Sequence, residues 1–253
     1  MSPTLPFPMP SPRAHPSRTR PARSRAPRYF RALEALETRT LFAVSTLVIN
    51  PGNHSATFSD VDGDVVTVSV SAGTLSPQNF IMFSLSATHD QLRTINLTDS
   101  SFTGASITFS INKSAGGDGL VNVGFINAGG IDLGAVTIPG DLGRINCGDG
   151  NGATAALTAL NVRSIGRYGV STQAPGGSLE SDIANFVGSI TVKTDITEAK
   201  LIVGGTISAA IGTLTIGGSL IGGSADRSGT VEVFGSIGAL KITGDLLGGD
   251  GER

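Results

Sequence analysis

Three aspartates at alternate positions are the side chains of this sequence best suited to binding a metal ion. Asp60, Asp62 and Asp64 are separated by single residues, and carboxylate oxygens are the ligands that Ca²⁺ prefers. A helix-loop-helix calcium loop beginning at Asp60 requires glycine at its sixth position and glutamate at its twelfth. Val65 and Ser71 stand there instead, so that loop does not fit. An incidental calcium site formed by the three aspartates stays open as an alternative.

The same segment carries the signals of a β-hairpin. Asp62-Gly63 separates Ala56-Thr-Phe58 from Val65-Val-Thr-Val68, and an Asp-Gly pair is typical of a tight turn in which both residues have positive φ. A hairpin is therefore the favoured interpretation. Further along, Gly116-Gly-Asp-Gly-Leu-Val-Asn122 resembles one imperfect copy of a calcium-binding nonapeptide repeat. Because such repeats work in tandem, we predict a turn there.

The residues that commonly act as nucleophiles and bases do not form a recognisable catalytic motif. His15, His54 and His89 have no serine or cysteine motif beside them, and the sequence contains no phosphate-binding loop, Gly-x-Ser-x-Gly elbow or zinc-ligand spacing. The single cysteine, Cys147, excludes an internal disulfide. We interpret it as a small, half-buried apolar residue. The sequence predicts neither an enzyme nor a cofactor.

The second half of the chain contains a degenerate repeat, which is the main signal for the fold. Its copies begin at residues 133, 157, 187, 211 and 237, so the steps are 24, 30, 24 and 26 residues. Each copy contains an apolar–polar–apolar triplet typical of a short strand, and units of this length suit one coil of a parallel β-helix. Stacking should produce two interior columns: Val136, Leu160, Ile190, Leu214 and Leu240, beside Ile138, Val162, Val192, Ile216 and Ile242.

The predicted fold is all-β, with a parallel β-helix preceded by a β-rich N-terminal module. The coil length favours the right-handed form, because left-handed hexapeptide β-helices as a family have shorter coils. We divide the chain into a disordered head with an export-type motif (1–40), a β-rich module or cap (44–126) and the helix repeats (127–253). Within the module, runs such as Val66-Thr-Val-Ser-Val70 and Ile81-Met-Phe-Ser-Leu85 predict half-buried strands.

One repeat position is rich in aspartate. Asp141, Asp195 and Asp245 occupy it, and Ser219 takes it in the fourth copy. Stacked aspartates would form a calcium- or sugar-binding stripe, whereas isolated ones each accept hydrogen bonds from the amides of their own turn; the interruption favours the second interpretation. Polysaccharide-cleaving sites require clustered carboxylates, and the candidates Asp182 and Asp195 lie in different predicted strands or turns.

Charge and proline are concentrated at the N-terminus. Residues 1–33 contain seven arginines and no acidic residue, whereas the remaining eleven basic and twenty acidic residues give a net charge of −9. An acidic body repels polyanions, so no nucleic-acid partner is expected. Eight of the twelve prolines precede residue 30, which predicts disorder over 1–40. The apolar run that follows is too short for a transmembrane span.

The stretch Leu33–Ala43 resembles the N-terminal Leu-Glu-Pro-Arg-x-Leu-Leu motif of large, glycine-rich repeat proteins exported by planctomycetes and related bacteria. Four residues match that motif: Leu36, Glu37, Arg39 and Leu41. Thr38 stands in place of the proline and Phe42 in place of a leucine. The repeat segment Ile211–Gly223 is similar to the repeats of the same proteins. The resemblance implies export to the cell surface or envelope and implies no activity.

These observations together predict an exported or cell-surface structural or adhesive β-solenoid without catalytic activity. The alternative is a polysaccharide-active or polysaccharide-binding β-helix of the pectin lyase-like type. Expected partners are cell-envelope components or glycans. The final residues, Gly248-Gly-Asp-Gly-Glu-Arg253, follow a strand without a polar cap. We therefore expect a piece of a longer array, or end-to-end self-association.

Overall fold

The structure, a computed structural model, describes residues 45–204 and 209–251, which belong to one compact unit. These residues form β-strands and three short 3-10 helices, so the prediction of an all-β protein is confirmed. No helix among them is long and apolar enough to cross a membrane. The predicted head (1–40) and the export motif fall outside the described residues; the motif residues are Leu36, Glu37, Arg39 and Leu41.

The strands are two to sixteen residues long and join into one mixed, open sheet. In chain order they are β1 Val48–Ile49, β2 Ser55–Ser59, β3 Val65–Val70, β4 Phe80–Ser84, β5 Asp90–Asn96, β6 Ile107–Asn112, β7 Val121–Gly129, β8 Leu133–Gly148, β9 Leu157–Ile165, β10 Glu180–Ile183, β11 Val187–Val192, β12 Ile196–Thr197, β13 Lys200–Val203, β14 Ala209–Ile216, β15 Leu220–Ile221, β16 Thr230–Val233, β17 Gly235–Ile242 and β18 Leu246–Leu247. The 3-10 helices cover Pro77–Asn79, Ser100–Phe102 and Gly169–Thr172.

The first strands pair antiparallel, as an alternating sequence with tight turns predicts. β1 pairs with β2, β2 with β3 and β3 with β6, while β4 pairs with β5. The apolar residues of the β2–β3 hairpin point inward and are almost fully buried: Ala56, Phe58, Val66 and Val68. This confirms the half-buried pattern expected for the segment 66–70.

Strand β4 is the exception, because its apolar face lies on the outside. Ile81, Phe83 and Leu85 are 49%, 42% and 53% exposed, so the half-buried prediction for this run is wrong. The register shift between Ile81 and Met82 places the extra residue, Arg93, on β5, so β4 keeps its alternation and turns the face of this run toward solvent. Phe80 and Met82 pack against the core instead.

The parallel pairings form three ladders, each of which receives one segment from successive repeats. The first ladder contains β6, the first half of β8, β9, β11, β14 and β17. The second contains β5, β7, the second half of β8, β10, β13 and β16. The third runs from the end of β9 through β12 and β15 to β18.

The register of the first ladder confirms both predicted columns residue by residue. Each column residue lies opposite its counterpart in the next repeat. In the first four copies these side chains are at most 1% exposed, whereas Leu240 in β17 is 56% exposed. Ile107 lies opposite Val136, so the ladder begins one strand earlier than the sequence repeat suggests.

The small residues of the repeat are explained by the closeness of successive strands. A Cβ atom on Gly188 would overlap the carbonyl oxygen of Thr158, and one on Gly212 would overlap the carbonyl oxygen of Gly188. Strands stack about 4.8 Å apart, which leaves no room for a side chain directed at the neighbouring backbone. Glycine at these two positions therefore follows from the local stacking, whereas the copy that begins at residue 157 has Thr158 at the equivalent position.

Two further expectations, the division of the chain into segments and the winding of the ladders, do not follow from the strand pairing. The expected boundary between residues 126 and 127 falls inside β7, and the division into module and repeats stays a prediction. The ladders form an open sheet, and their winding into a right-handed parallel β-helix is likewise a proposal.

Replacing Ile190 by alanine should destabilise the protein much more than replacing Thr191, its neighbour on β11. Ile190 is fully buried between Leu160 and Leu214, so truncation leaves a cavity and should cost about 2–5 kcal/mol. Thr191→Ala changes an outward-facing residue and should alter the free energy of unfolding by roughly 0.5 kcal/mol or less. Urea unfolding measures both values; equal losses would contradict the assignment of the two faces.

Candidate functional site

The three predicted calcium ligands lie at the turn of the β2–β3 hairpin. The Asp60 amide donates to the Asp64 carbonyl (2.9 Å) and the Gly63 amide to the Asp60 carbonyl (3.2 Å). Gly63 has a φ of +93°, but Asp62 is not among the positive-φ residues. The hairpin is confirmed, whereas the expected two-residue turn is wrong. A three-residue loop that ends in a positive-φ glycine is the next most common way to close a hairpin.

The carboxylates of this turn converge on one another. One oxygen from each of Asp60, Asp62 and Asp64 lies within 4.8 Å of the other two. Asp60 is 4% exposed and Asp64 is fully buried. The Asp60 Oδ1 atom accepts hydrogen bonds from the amides of Asp62 (3.3 Å) and Asp64 (2.9 Å). Asp62 Oδ1 is buried and accepts no hydrogen bond from any described group.

The connection between β6 and β7 holds two of these carboxylates from the other side. The amides of Ser114 and Gly119 donate to the two oxygens of Asp64, each at 2.6 Å. The amide of Asp118 donates to Asp62 Oδ2 at 2.8 Å. This connection includes the glycine-rich segment in which we predicted a turn, and the Gly117 amide does bond back to the Ser114 carbonyl (3.3 Å).

Burial and crowding alter the protonation of the cluster. Burial, followed by the adjacent carboxyl of Asp62, raises the pKa of Asp60 to about 7. For Asp64, burial also acts to raise the pKa, but the amides of Ser114 and Gly119 outweigh it and leave the pKa below its ordinary value. Near neutral pH the cluster therefore favours a bound positive charge, either a proton on Asp60 or a cation.

The aspartates of the repeat line up in a polar column of their own. This corner column lies at the turn that leads into the third ladder. Asp141 lies opposite Ser164, whose hydroxyl donates to Asp141 Oδ1 at 2.6 Å. The Ser219 amide donates to Asp195 Oδ1 (2.7 Å), and the Asp245 amide donates to Ser219 Oγ (3.0 Å). Aspartate and serine thus alternate along the column.

This alternation corrects the expectation that each aspartate bonds the amides of its own turn. The hydrogen-bonding partners of Asp141 and Asp195 belong to the next repeat, because in-register stacking brings that repeat within hydrogen-bond distance. The repeat pattern does not reveal the member of this column in the second repeat, because Ser164 comes two residues after Val162 rather than three. The register shift between Ile138 and Asp141 compensates for the missing residue.

A cluster of charged side chains on the second ladder was not predicted. Lys200 Nζ lies 3.0 Å from Glu180 Oε2 and 4.0 Å from Glu232 Oε2. Arg227 Nη2 lies 2.7 Å from the same Glu232 oxygen. Glu180 and Lys200 lie opposite each other on β10 and β13. These strands lack the apolar triplet of the repeat, so the sequence offered no register from which to pair them.

A groove of about 390 Å³ runs beside this cluster. Its lining includes the charged residues Glu180, Glu198, Lys200 and Asp226 together with apolar Val170 and Leu179. Glu198 has a φ of +56°, a left-handed conformation that costs a non-glycine residue free energy and often marks functional sites. The groove offers three carboxylates and one ammonium group, a set able to bind hydroxyl-rich ligands through hydrogen bonds.

The remaining sequence candidates stay apart. Asp182 lies on β10 opposite Asn146, whereas Asp195 lies at the corner column. His89 bonds through Nδ1 to Ser86 Oγ (3.0 Å) in its own turn, and its Nε2 lies beside Gly63 of the hairpin turn. Cys147 is 1% exposed, hence more buried than expected, and this burial raises the pKa of its thiol.

Comparison of the chain with protein-family models, with curated proteins and with solved structures gives no match.

Asp60→Asn should remove one component of the pH dependence of stability, measured in a chelating buffer. The folded chain keeps the Asp60 proton up to about pH 7, whereas the unfolded chain releases it near its ordinary pKa of 3.8. The wild type should therefore lose stability as the pH rises between these values. The variant stays neutral and should be more stable than the wild type at about pH 8, by on the order of 2 kcal/mol.

Near pH 4 the two proteins should have similar urea midpoints. The neighbouring Asp62, Asp64, Lys113 and His89 are present in both, so the difference between the two curves isolates Asp60. If the two proteins differ in stability by the same amount near pH 4 and at about pH 8, the raised pKa of Asp60 is contradicted.

Proposed function

We propose that this chain is an exported or cell-surface structural or adhesive β-solenoid without catalytic activity, related to the glycine-rich repeat proteins of planctomycetes. The observation that carries the proposal is the stacking of successive repeats in register along three parallel ladders. In a parallel β-helix each turn of the chain would contribute one strand to each ladder, and repeats of this kind form extended surfaces rather than single pockets.

The outer face of the first ladder supports a role in surface contact. One outward column consists of uncharged polar residues up to the last repeat: Thr108, Thr137, Asn161, Thr191 and Thr215. The column beside it carries small residues: Ala135, Ala159, Ser189, Thr213 and Ala239. Such a regular face suits weak, repeated contacts with glycans or cell-envelope components, which add up along an array.

Export and self-association rest on other parts of the chain. The argument for export depends on the motif of Leu36, Glu37, Arg39 and Leu41 and on the arginine-rich segment before it. The last strands carry exposed apolar residues, since Leu240, Leu246 and Leu247 are 56%, 69% and 50% exposed; a further repeat or end-to-end contact with another copy would cover them. Exposed apolar groups beside unpaired strand edges favour association.

Protease treatment of intact native cells tests the proposed location. We expect the folded body to be released from outside and the mature protein to begin between residues 30 and 50, because a targeting segment is removed during export. A cytoplasmic marker protein that survives the treatment serves as the control. A full-length chain that stays inside with residues 1–40 attached would overturn the proposal.

The groove beside Lys200 favours a second function, binding of a polysaccharide. Its carboxylates outnumber its single lysine, so a neutral glycan fits better than an acidic one, because carboxylates accept hydrogen bonds from sugar hydroxyls. Lys200 is partly buried, but its partner Glu180 is about half exposed, so the carboxylate of this ion pair is accessible to a ligand in the groove. This second function corresponds to the alternative in which the chain is a polysaccharide-binding β-helix of the pectin lyase-like type.

Glycan binding in the groove should be lost when its polar groups are removed. Lys200→Ala and Glu198→Gln should each weaken the binding of neutral polysaccharides about tenfold or more, since a hydrogen bond to a charged group contributes roughly 1.5–3 kcal/mol. Lys241→Ala on the first ladder is the matched control and should bind like the wild type. Affinity electrophoresis in polysaccharide gels measures the effect. Unchanged retardation of both groove variants would exclude the groove as the binding site.

A further inference from the structure

We propose that Asp60, Asp62 and Asp64 bind one calcium ion, which fastens the β2–β3 hairpin to the connection between β6 and β7. The inference is independent of the proposed surface function, because it concerns the antiparallel strands before the repeats. Its chemistry is the binding of a hard divalent cation by carboxylate oxygens.

The spacing of the three carboxylates suits a single ion. Ca²⁺ binds oxygen ligands at about 2.3–2.6 Å, so two ligands of one ion lie no more than about 5 Å apart. One oxygen from each aspartate lies within 4.8 Å of the other two. All three residues can therefore contact the same ion.

A buried oxygen without a partner points independently to a ligand. Asp62 Oδ1 is shielded from solvent and accepts no hydrogen bond from any amide, hydroxyl or basic side chain that the structure describes; the adjacent Asp60 carboxyl interacts with the Asp62 side chain but can donate to it only when protonated. Beside it, Asp60 is more than nine-tenths buried, and the described amides that bond it reach Oδ1 alone. A buried carboxylate oxygen without a partner carries a large desolvation cost, which coordination of a cation would remove.

The charge of the cluster is not balanced by protein side chains. The ion pairs among the described residues join Lys200 and Arg227 to glutamates on the second ladder, and none involves the three aspartates. Lys113 influences Asp64 from a distance without forming an ion pair with it. Three converging carboxylates repel one another unless a proton or a cation lies between them, and above about pH 7 Asp60 loses its proton.

The surrounding backbone holds the carboxylates in place. Amides of Ser114 and Gly119 fix both oxygens of Asp64, and the Asp118 amide fixes Asp62 Oδ2. A Cβ atom on Gly117 would overlap the Asp64 carboxylate, so only glycine allows this backbone to approach so closely. Groups that orient metal ligands in this way raise the affinity of a site.

Oxygen ligands and local geometry favour calcium over other metals. The ligand set contains no histidine nitrogen or thiolate, which zinc and copper prefer. Mg²⁺ demands near-ideal octahedral geometry at about 2.0–2.1 Å and keeps several waters, whereas Ca²⁺ tolerates irregular arrangements. The ligands come from one hairpin turn, and the amides that orient them come from a segment about fifty residues away. Ion binding should therefore stabilise the junction of the two segments.

Trypsin digestion of the full chain tests the calcium site through the rate at which one peptide bond, the bond after Lys113, is cleaved. Lys113 is exposed and begins the connection that holds Asp64. If cleavage after Lys113 requires an opening that releases the ion, calcium at about ten times its dissociation constant should slow it about tenfold. Cleavage after Arg227, which is exposed on a distant loop, should keep the same rate and serves as the control within each digest.

Two variants assign the effect to the aspartates. Asp62→Asn removes charge from the unpartnered oxygen and should abolish protection by calcium, whereas Asp99→Asn, at the start of the second 3-10 helix, should keep it. Isothermal titration with calcium alone should give one site in the wild type and in Asp99→Asn. The wild-type digest needs no variant, so poor folding of Asp62→Asn leaves the test intact. Equal cleavage after Lys113 with calcium and with chelator, together with no heat of binding, would overturn the proposal.

Discussion

In-register stacking of short parallel strands is the constraint on which the rest of this structure depends. Strands β12, β15 and β18 contain two residues each, too few to be stable alone. Their backbone groups are satisfied by the repeats before and after them, and their side chains extend columns that the neighbours have begun. The glycines that face neighbouring carbonyl groups and the buried aliphatic columns are both consequences of a spacing of about 4.8 Å.

The same constraint decides where polar chemistry is found. Inside the stack a carboxylate needs a partner from the adjacent repeat, and Asp141 receives one from Ser164. Where strands pair antiparallel at the N-terminal end, the partner is instead a connection distant in sequence, which supplies amides to Asp64. Several carboxylates lie together at the hairpin turn and in the groove near Lys200. Those are the two places where we propose that ligands bind.

The features that depend on local periodicity could be predicted from the sequence. The triplets gave the two columns from Val136 and Ile138 onward because period two and a repeated step fix both face and register. The corner column of aspartates was predicted, but its alternation with serine was missed because Ser164 is offset by one residue, and a register shift in the pairing of β8 with β9 restores the alignment. The face of β4 was assigned wrongly because both faces of this strand carry apolar residues, so period two alone does not decide which of them is buried.

The contacts that shape the candidate sites are long-range, and sequence alone does not supply them. Asp60, Asp62 and Asp64 were recognised as a carboxylate group, but the loop that holds Asp64 comes fifty residues later. Glu180 and Lys200 pair across strands that lack the repeat pattern. The handedness and closure of the proposed helix depend likewise on how the corners turn, which the strand pairing does not fix.

Disulfide trapping between repeats tests the stacking most directly. Thr191 and Thr215 lie opposite each other on adjacent strands, and Lys241 lies opposite Thr215 one strand further on. Cysteines introduced at Thr191 and Thr215 should form a disulfide in the folded protein, because their Cα atoms lie about 4.8 Å apart. Cysteines at Thr191 and Lys241 should stay reduced, since two spacings exceed the reach of about 7 Å. Oxidation of the second pair but not of the first would contradict the register on which this account rests.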